Sequence, residues 1–113
     1  MRVDYRARTE IDARYRSRRA DGKTGWKDDY DEPVRRVEHV LERYRPGREA
    51  LLEMGCGAGN VALAVAAKGL FDQVYGVDIS QDAIDWAQAN AREARLEVGF
   101  RVGNVVNLAC YQD

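Results

Sequence analysis

Residues 50–60 read ALLEMGCGAGN and residues 73–80 read QVYGVDIS. The first stretch decides the fold. Ala50 to Met54 is a short apolar run stopped by glycine, the pattern of a buried strand. Gly55, Gly57 and Gly59 then alternate with Cys56 and Ala58. Glycine at alternate positions lets the backbone turn sharply and lets a ligand approach without meeting a Cβ. Asn60 to Lys68 is rich in Ala and Val and reads as a helix, with Gly69 just past its end. Strand, glycine turn and helix in succession leave the helix's first N–H groups facing whatever rests on the turn.

Downstream, Gln73 to Asp78 reads as a second strand. Ser80 is a good N-cap, and Asp82 puts a negative charge in the first turn of the helix that follows. Ile84, Ala87, Ala91 and Ala94 recur on one face of that helix, which runs to about Arg95. Glu97 to Val102 reads as a third strand, and the tail from Asn104 as loop. Upstream, Pro33 suits a first helical turn, and Val34, Val37, Val40, Leu41 and Tyr44 keep a helical period until Pro46-Gly47 ends it. Residues 5–19 suggest a short helix, and 20–32 a loop around Trp26. Strands alternating with helices imply an α/β fold with a parallel sheet. The expectation is a Rossmann-like three-layer α-β-α sandwich that stops after about three strands and is preceded by an N-terminal helical arm. The arm covers residues 1–47 and the partial domain residues 48–113.

Composition narrows the class. A chain of 113 residues makes one small domain, and 45% hydrophobic with 33% charged residues describes a globular chain rather than a disordered one. The longest apolar run, Val61 to Ala67, is far too short to span a bilayer, and MRVDYRARTE offers no secretory signal. Two cysteines, Cys56 and Cys110, make no disulfide framework, so a cytoplasmic setting is expected. The net charge of −1 is uneven: residues 1–49 carry +3 and residues 50–113 carry −4. So small an excess reads as a solvated helical face and argues against a nucleic-acid partner.

The ligand is read from the turn and the carboxylates around it. Asp78 ends the strand that follows the turn, where an acidic side chain can accept hydrogen bonds from both ribose hydroxyls of a nucleoside. The glycines are spaced G-x-G-x-G and followed by Asn60, unlike the G-x-G-x-x-G of dinucleotide sites. Glu53 lies two residues before the first glycine. A carboxylate there would repel a pyrophosphate and can hold the ammonium of a methionine moiety. Spacing and charge both favour S-adenosylmethionine over a dinucleotide.

These residues carry a family resemblance. LLEMGCGAGN resembles the first motif of class I (Rossmann-like) S-adenosylmethionine-dependent methyltransferases, VYGVDIS the second, and FRVGNV the third-strand motif. The resemblance covers about residues 48–113. It implies that Glu53 meets the methionine amino group, that Gly55, Cys56, Gly57 and Gly59 line the methionine and ribose, that Asp78 holds the ribose hydroxyls and that Ile79 packs on the adenine. Asn104 falls where the family often has an Asp that reads the adenine amino group, and an amide oxygen can accept the same bond. The arm DARYRSRRADGKTGWKDDYDEPV loosely resembles the segment before the first motif in methyltransferases of the thiopurine and tellurite-resistance type. That resemblance implies a lid over the cofactor, with Tyr15 or Trp26 shielding the sulfonium and Arg14 or Arg16 pairing with the cofactor carboxylate. It further implies a small-molecule methyl acceptor.

Other residues read as structure. Cys56 has no activating base in sequence and reads as packing. His39 has no partner on its helix, and Trp86 reads as a core residue. No His/Cys/Asp cluster has metal-ligand spacing, so no metal is expected. Tyr111 and Asp113 are near neighbours of the aromatic-Asp pair that opens the family's fourth strand, so the sequence reads as cut there. A missing C-terminal segment or a second copy in a homodimer would then cover the open sheet edge. The catalytic residues and the acceptor atom stay open. So do two other readings: a non-catalytic module that holds the cofactor or works by association, and an NAD-binding dehydrogenase domain.

Overall fold

The computed structural model describes residues 5–21 and 31–104. Trp26, Cys110, Tyr111 and Asp113 lie outside the described residues. Seven elements follow in chain order: α1 (Tyr5–Ala20), α2 (Asp31–Tyr44), β1 (Ala50–Met54), α3 (Asn60–Ala67), β2 (Gln73–Asp78), α4 (Gln81–Ala94) and β3 (Gly99–Val102). The strands form one parallel sheet in the order β1-β2-β3, with Glu53 opposite Gly76 and Gly76 opposite Phe100. Parallel neighbours need a crossover, and α3 and α4 supply the two crossovers here.

Strand alternation sorts the side chains onto two faces. Leu51, Glu53, Val74, Gly76 and Phe100 share one face by register. Val34 of α2, Leu63 and Val65 of α3 and Ile84, Ala87 and Ala91 of α4 gather there with Val74 and Phe100 into the hydrophobic core. The small residues of α3 and α4 let these helices lie close to the sheet. On the other face stand Leu52, Tyr75 and Arg101, and Met54 at the end of β1 is 59% exposed. The described residues therefore build two of the three expected layers.

Element boundaries follow local chemistry. α4 opens on Ser80, whose Oγ accepts the N–H of Ala83 at 3.0 Å. It closes on Arg95 in the left-handed region, with the Leu96 N–H donating to the carbonyl of Ala91 at 3.0 Å. That closure uses two residues more than the helix itself, so β3 begins at Gly99 rather than at Glu97. α1 runs for 16 residues and ends on Arg18 and Arg19, cations suited to a helix C-terminus. It packs on α4 through Tyr15 and Trp86, whose rings meet edge to face with centroids 6.5 Å apart. Trp86 is buried, as its packing role required.

Candidate cofactor site

The glycine turn is fastened to the end of β2. The N–H groups of Gly55 and Cys56 both donate to the carbonyl of Val77, at 2.8 and 3.0 Å. The N–H of Gly57 donates to Asp78 Oδ2 at 2.9 Å, and the N–H of Ser80 to Asp78 Oδ1 at 3.0 Å. Asp78 is only 7% exposed, yet each oxygen keeps a lone pair beyond these bonds. The carboxylate is thus held still by two backbone amides while remaining able to accept from a ligand. Gly59 takes φ +87°, and a Cβ there would land 2.6 Å from the Phe100 ring. The glycine is required by the approach of β3 as well as by the backbone angle.

A cleft of about 370 Å³ opens over this turn at the carboxyl end of the sheet. Its floor is Gly55, Asp78, Ile79 and Asn104, and its roof is Ile11, Arg14, Tyr15 and Arg18 of α1. Tyr15 reaches furthest in: its hydroxyl lies 2.8 Å from where a Cβ on Gly57 would be. Burial and the neighbouring Asp78 carboxylate raise the pKa of Tyr15. Of the two arginines considered for a cofactor carboxylate, Arg14 lines the cleft, whereas Arg16 lies 3.4 Å from Asp82 on α4.

Glu53 and Cys56 sit beneath the turn. Glu53 is half-buried, and its Oε2 has no hydrogen-bond partner among the described residues. Burial, and then the charge of Asp78, raise its carboxyl to about 7. Cys56 turns its side chain into the core, and burial with the two carboxylates pushes its thiol up to about 12. That thiol is inert at neutral pH, and only the backbone of Cys56 shapes the turn. Gly57 likewise contributes its N–H.

Four participants were not singled out in the sequence. Ile11 and Arg18 complete a stripe with Arg14 and Tyr15, at the i, i+3/i+4, i+7 spacing that marks one helical face. The stripe was hidden because the helix is almost wholly polar. Asp12 accepts a hydrogen bond from Ser80 Oγ, which ties α1 to the N-terminus of α4. Asn60 Oδ1 is a second buried acceptor without a donor among the described residues. A larger, open hollow of about 830 Å³ lies at the opposite ends of the strands, between Asp72, Arg95 and Gly99, away from the turn. His39 is exposed on α2 and touches neither cavity.

A parallel sheet with a glycine turn after β1 and an acidic end to β2 defines an adenosine-binding α/β protein. The comparisons with known proteins give the family. Residues 51–113, more than half of the chain, match the methyltransferase domain family, and the chain belongs to it. It is 37% identical over 71 residues to a release factor glutamine methyltransferase of Aliivibrio fischeri, covering 62% of this chain and 25% of that protein. It is 32% identical over 80 residues to a ubiquinone biosynthesis O-methyltransferase of Xanthomonas axonopodis pv. citri, covering 71% of this chain and 32% of that protein. The structure of an S-adenosylmethionine-dependent methyltransferase from Clostridium acetobutylicum shares the fold, with a TM-score of 0.63 and 22% identity over 70% of this chain and 31% of that one. The chain spans a quarter to a third of the length of these curated relatives.

S-adenosylmethionine is the cofactor of this class, and the residues present fit it. The orphaned Glu53 Oε2 suits an ammonium donor. Asp78 suits ribose hydroxyls, and Ile79 offers an apolar side chain beside it for the base. Bound here, the cofactor would supply an activated methyl group on a positively charged sulfur.

Proposed function

We propose that this chain holds S-adenosylmethionine for methyl transfer to a small-molecule acceptor in the cytoplasm. One observation carries the reading: α1 brings Ile11, Arg14, Tyr15 and Arg18 over the same cleft that Gly55 and Asp78 floor. A roofed cleft of this size suits a small acceptor better than a protein side chain delivered on a loop. The curated relatives named above act on a protein and on a ubiquinone precursor, and the roof is what favours the latter kind. No helix among the described residues is long and apolar enough to cross a membrane.

The protein's part is to place and orient, since the cofactor carries the reactive group. Asp78 fixes the ribose, and the apolar Ile11 and the Tyr15 ring exclude water above the cleft. Tyr15 also lays an aromatic face where a cation would sit. The test compares S-adenosylhomocysteine with its 2′-deoxy form by calorimetry, in the wild-type chain and in Asp78→Asn. Wild type is expected to favour the hydroxylated ligand by roughly tenfold or more, about 1.4 kcal/mol. Asp78→Asn is expected to lose that preference. Equal affinity of the two ligands for the wild-type chain would remove Asp78 from the ribose. Transfer of labelled methyl to a panel of small phenols, thiols and amines then tests the acceptor class. Cofactor binding with no transfer to any of them would favour a non-catalytic binding module.

A further inference from the structure

We propose that Asn90 of α4 is a positioning residue for the cofactor: its amide pins one peptide of the glycine turn and so keeps the Gly57 N–H on Asp78. The inference rests on the cofactor reading above and adds to it a residue that does not itself line the cleft.

Glycine makes the turn possible and leaves it loose. Gly55, Gly57 and Gly59 take φ of +74°, +56° and +87°. A residue that tolerates such angles also reaches other angles at little cost. The peptides beside these glycines can therefore rotate unless something holds them. The peptide joining Ala58 to Gly59 is held at both ends. Its N–H donates to the Cys56 carbonyl at 3.0 Å, within the turn. Its carbonyl, that of Ala58, accepts from Asn90 Nδ2 at 3.0 Å. Ala58 is only 8% exposed, so without that amide its carbonyl has little water to turn to.

The placement of Asn90 on α4 agrees. It stands one turn beyond Ala87, whose methyl lies 3.2 Å from where a Cβ on Gly59 would be, so this side of α4 lies against the turn. Ala83, Ile84, Ala87 and Ala91 around it are buried and apolar. Asn forms helix less well than alanine, and its presence here answers the carbonyl it faces. From the turn the constraint passes to Asp78. Gly57 precedes Ala58, and its N–H donates to Asp78 Oδ2 at 2.9 Å. Rotation of the Ala58–Gly59 peptide would shift Ala58 and carry the Gly57 N–H with it. Of its two backbone donors Asp78 would then keep only the Ser80 N–H, and the carboxylate could turn away from the ribose. α4 thus holds the cofactor's acid twice, through Ser80 directly and through Asn90 by way of the turn.

The test uses the 113-residue chain with two substitutions. Asn90→Ala removes the donor and favours the helix, and Asn90→Gln restores a donor. Calorimetry gives the affinities of S-adenosylhomocysteine and its 2′-deoxy form for each chain. A neutral hydrogen bond is worth roughly threefold to tenfold in an equilibrium. Asn90→Ala is expected to weaken S-adenosylhomocysteine by about that factor and the deoxy ligand by less, narrowing the ratio to roughly threefold or below. Asn90→Gln should recover most of the wild-type ratio. In the free chains, amide hydrogen exchange at Gly57 should be about tenfold faster in Asn90→Ala and close to wild type in Asn90→Gln. Melting temperatures check that the variants are folded.

A wild-type ligand ratio in folded Asn90→Ala would overturn the proposal, even with faster exchange at Gly57, because the clamp would then serve the turn and not the ribose. Failure of folded Asn90→Gln to restore what Asn90→Ala loses would also overturn it, since packing rather than the donor would be at work. Loss of the fold in both variants would make Asn90 a residue of the core and remove the positioning role. A folded wild-type chain that binds both ligands equally, or neither, would instead overturn the reading of Asp78 on which the proposal rests.

Discussion

At Asp78 one carboxylate does two jobs. It receives the N–H groups of Gly57 and Ser80, which couples the glycine turn to the start of α4. It also lines the cleft over the glycine turn. An acid at the end of the second strand is a pattern that can be read along the chain. The first job depends on where two backbone amides point, which no spacing reveals. The glycines show a similar division. Gly59 and Gly69 both take positive φ, at +87° and +66°, but a Cβ on Gly69 would meet nothing within 4 Å while one on Gly59 would strike Phe100. Gly69→Ala should therefore cost about 1 kcal/mol, the conformational penalty alone. Gly59→Ala should cost roughly 2 kcal/mol or more, because the ring must also move. Urea unfolding of the two variants checks the order, and equal losses would show that Phe100 yields freely.

Among the elements, α1 is the one whose placement rests on polar contacts. Half of its 16 residues are charged and it has no strong apolar face, so the sequence suggested only a short helix over residues 5–19. Three ties set it on α4: Asp12 to Ser80, Arg16 to Asp82 and Tyr15 to Trp86. They fall within about one turn of α1 and fix which face of it looks into the cleft. Ser80 serves both helices, as the N-cap of α4 and as the donor to Asp12. Ser80→Ala should therefore cost about 1–2 kcal/mol of stability, the upper part of the range for a lost cap. It should also speed amide hydrogen exchange along α1. A stability loss with unchanged exchange in α1 would mean that the Asp12 bond does not hold the roof in place. The exposed Arg16–Asp82 pair adds little of its own.

On the scale of the molecule, one face of the sheet is covered, and both outer strands, β1 and β3, are paired on one side only among the described residues. At the β1 edge the outer side pairs with nothing described. Beside it α2 and β1 frame an apolar groove of about 380 Å³ with Val40 and Leu51 on its walls, and Val40 is 47% exposed. Open edges with apolar neighbours recruit other strands. The chain of 113 residues is therefore expected to sediment as more than a monomer at micromolar concentration. Leu52→Lys, which charges the uncovered face, should shift it toward monomer. A strictly monomeric wild-type chain in equilibrium sedimentation would show that the edge is protected.

The sequence by itself determined the order of strands and helices, the glycine turn and the acid that faces it. Those features are local: hydrophobic period, N-caps and glycine spacing act over a few residues, so they can be read along the chain. Only the tertiary structure decided that Asp78 is held by two amides, that Glu53 is left without a donor and that a polar helix roofs the cleft. Apart from the local Ser80–Asp78 bond, these features join groups far apart in sequence, and their pairing is set when the core of α2, α3 and α4 closes on the sheet and brings the ends of β1 and β2 side by side.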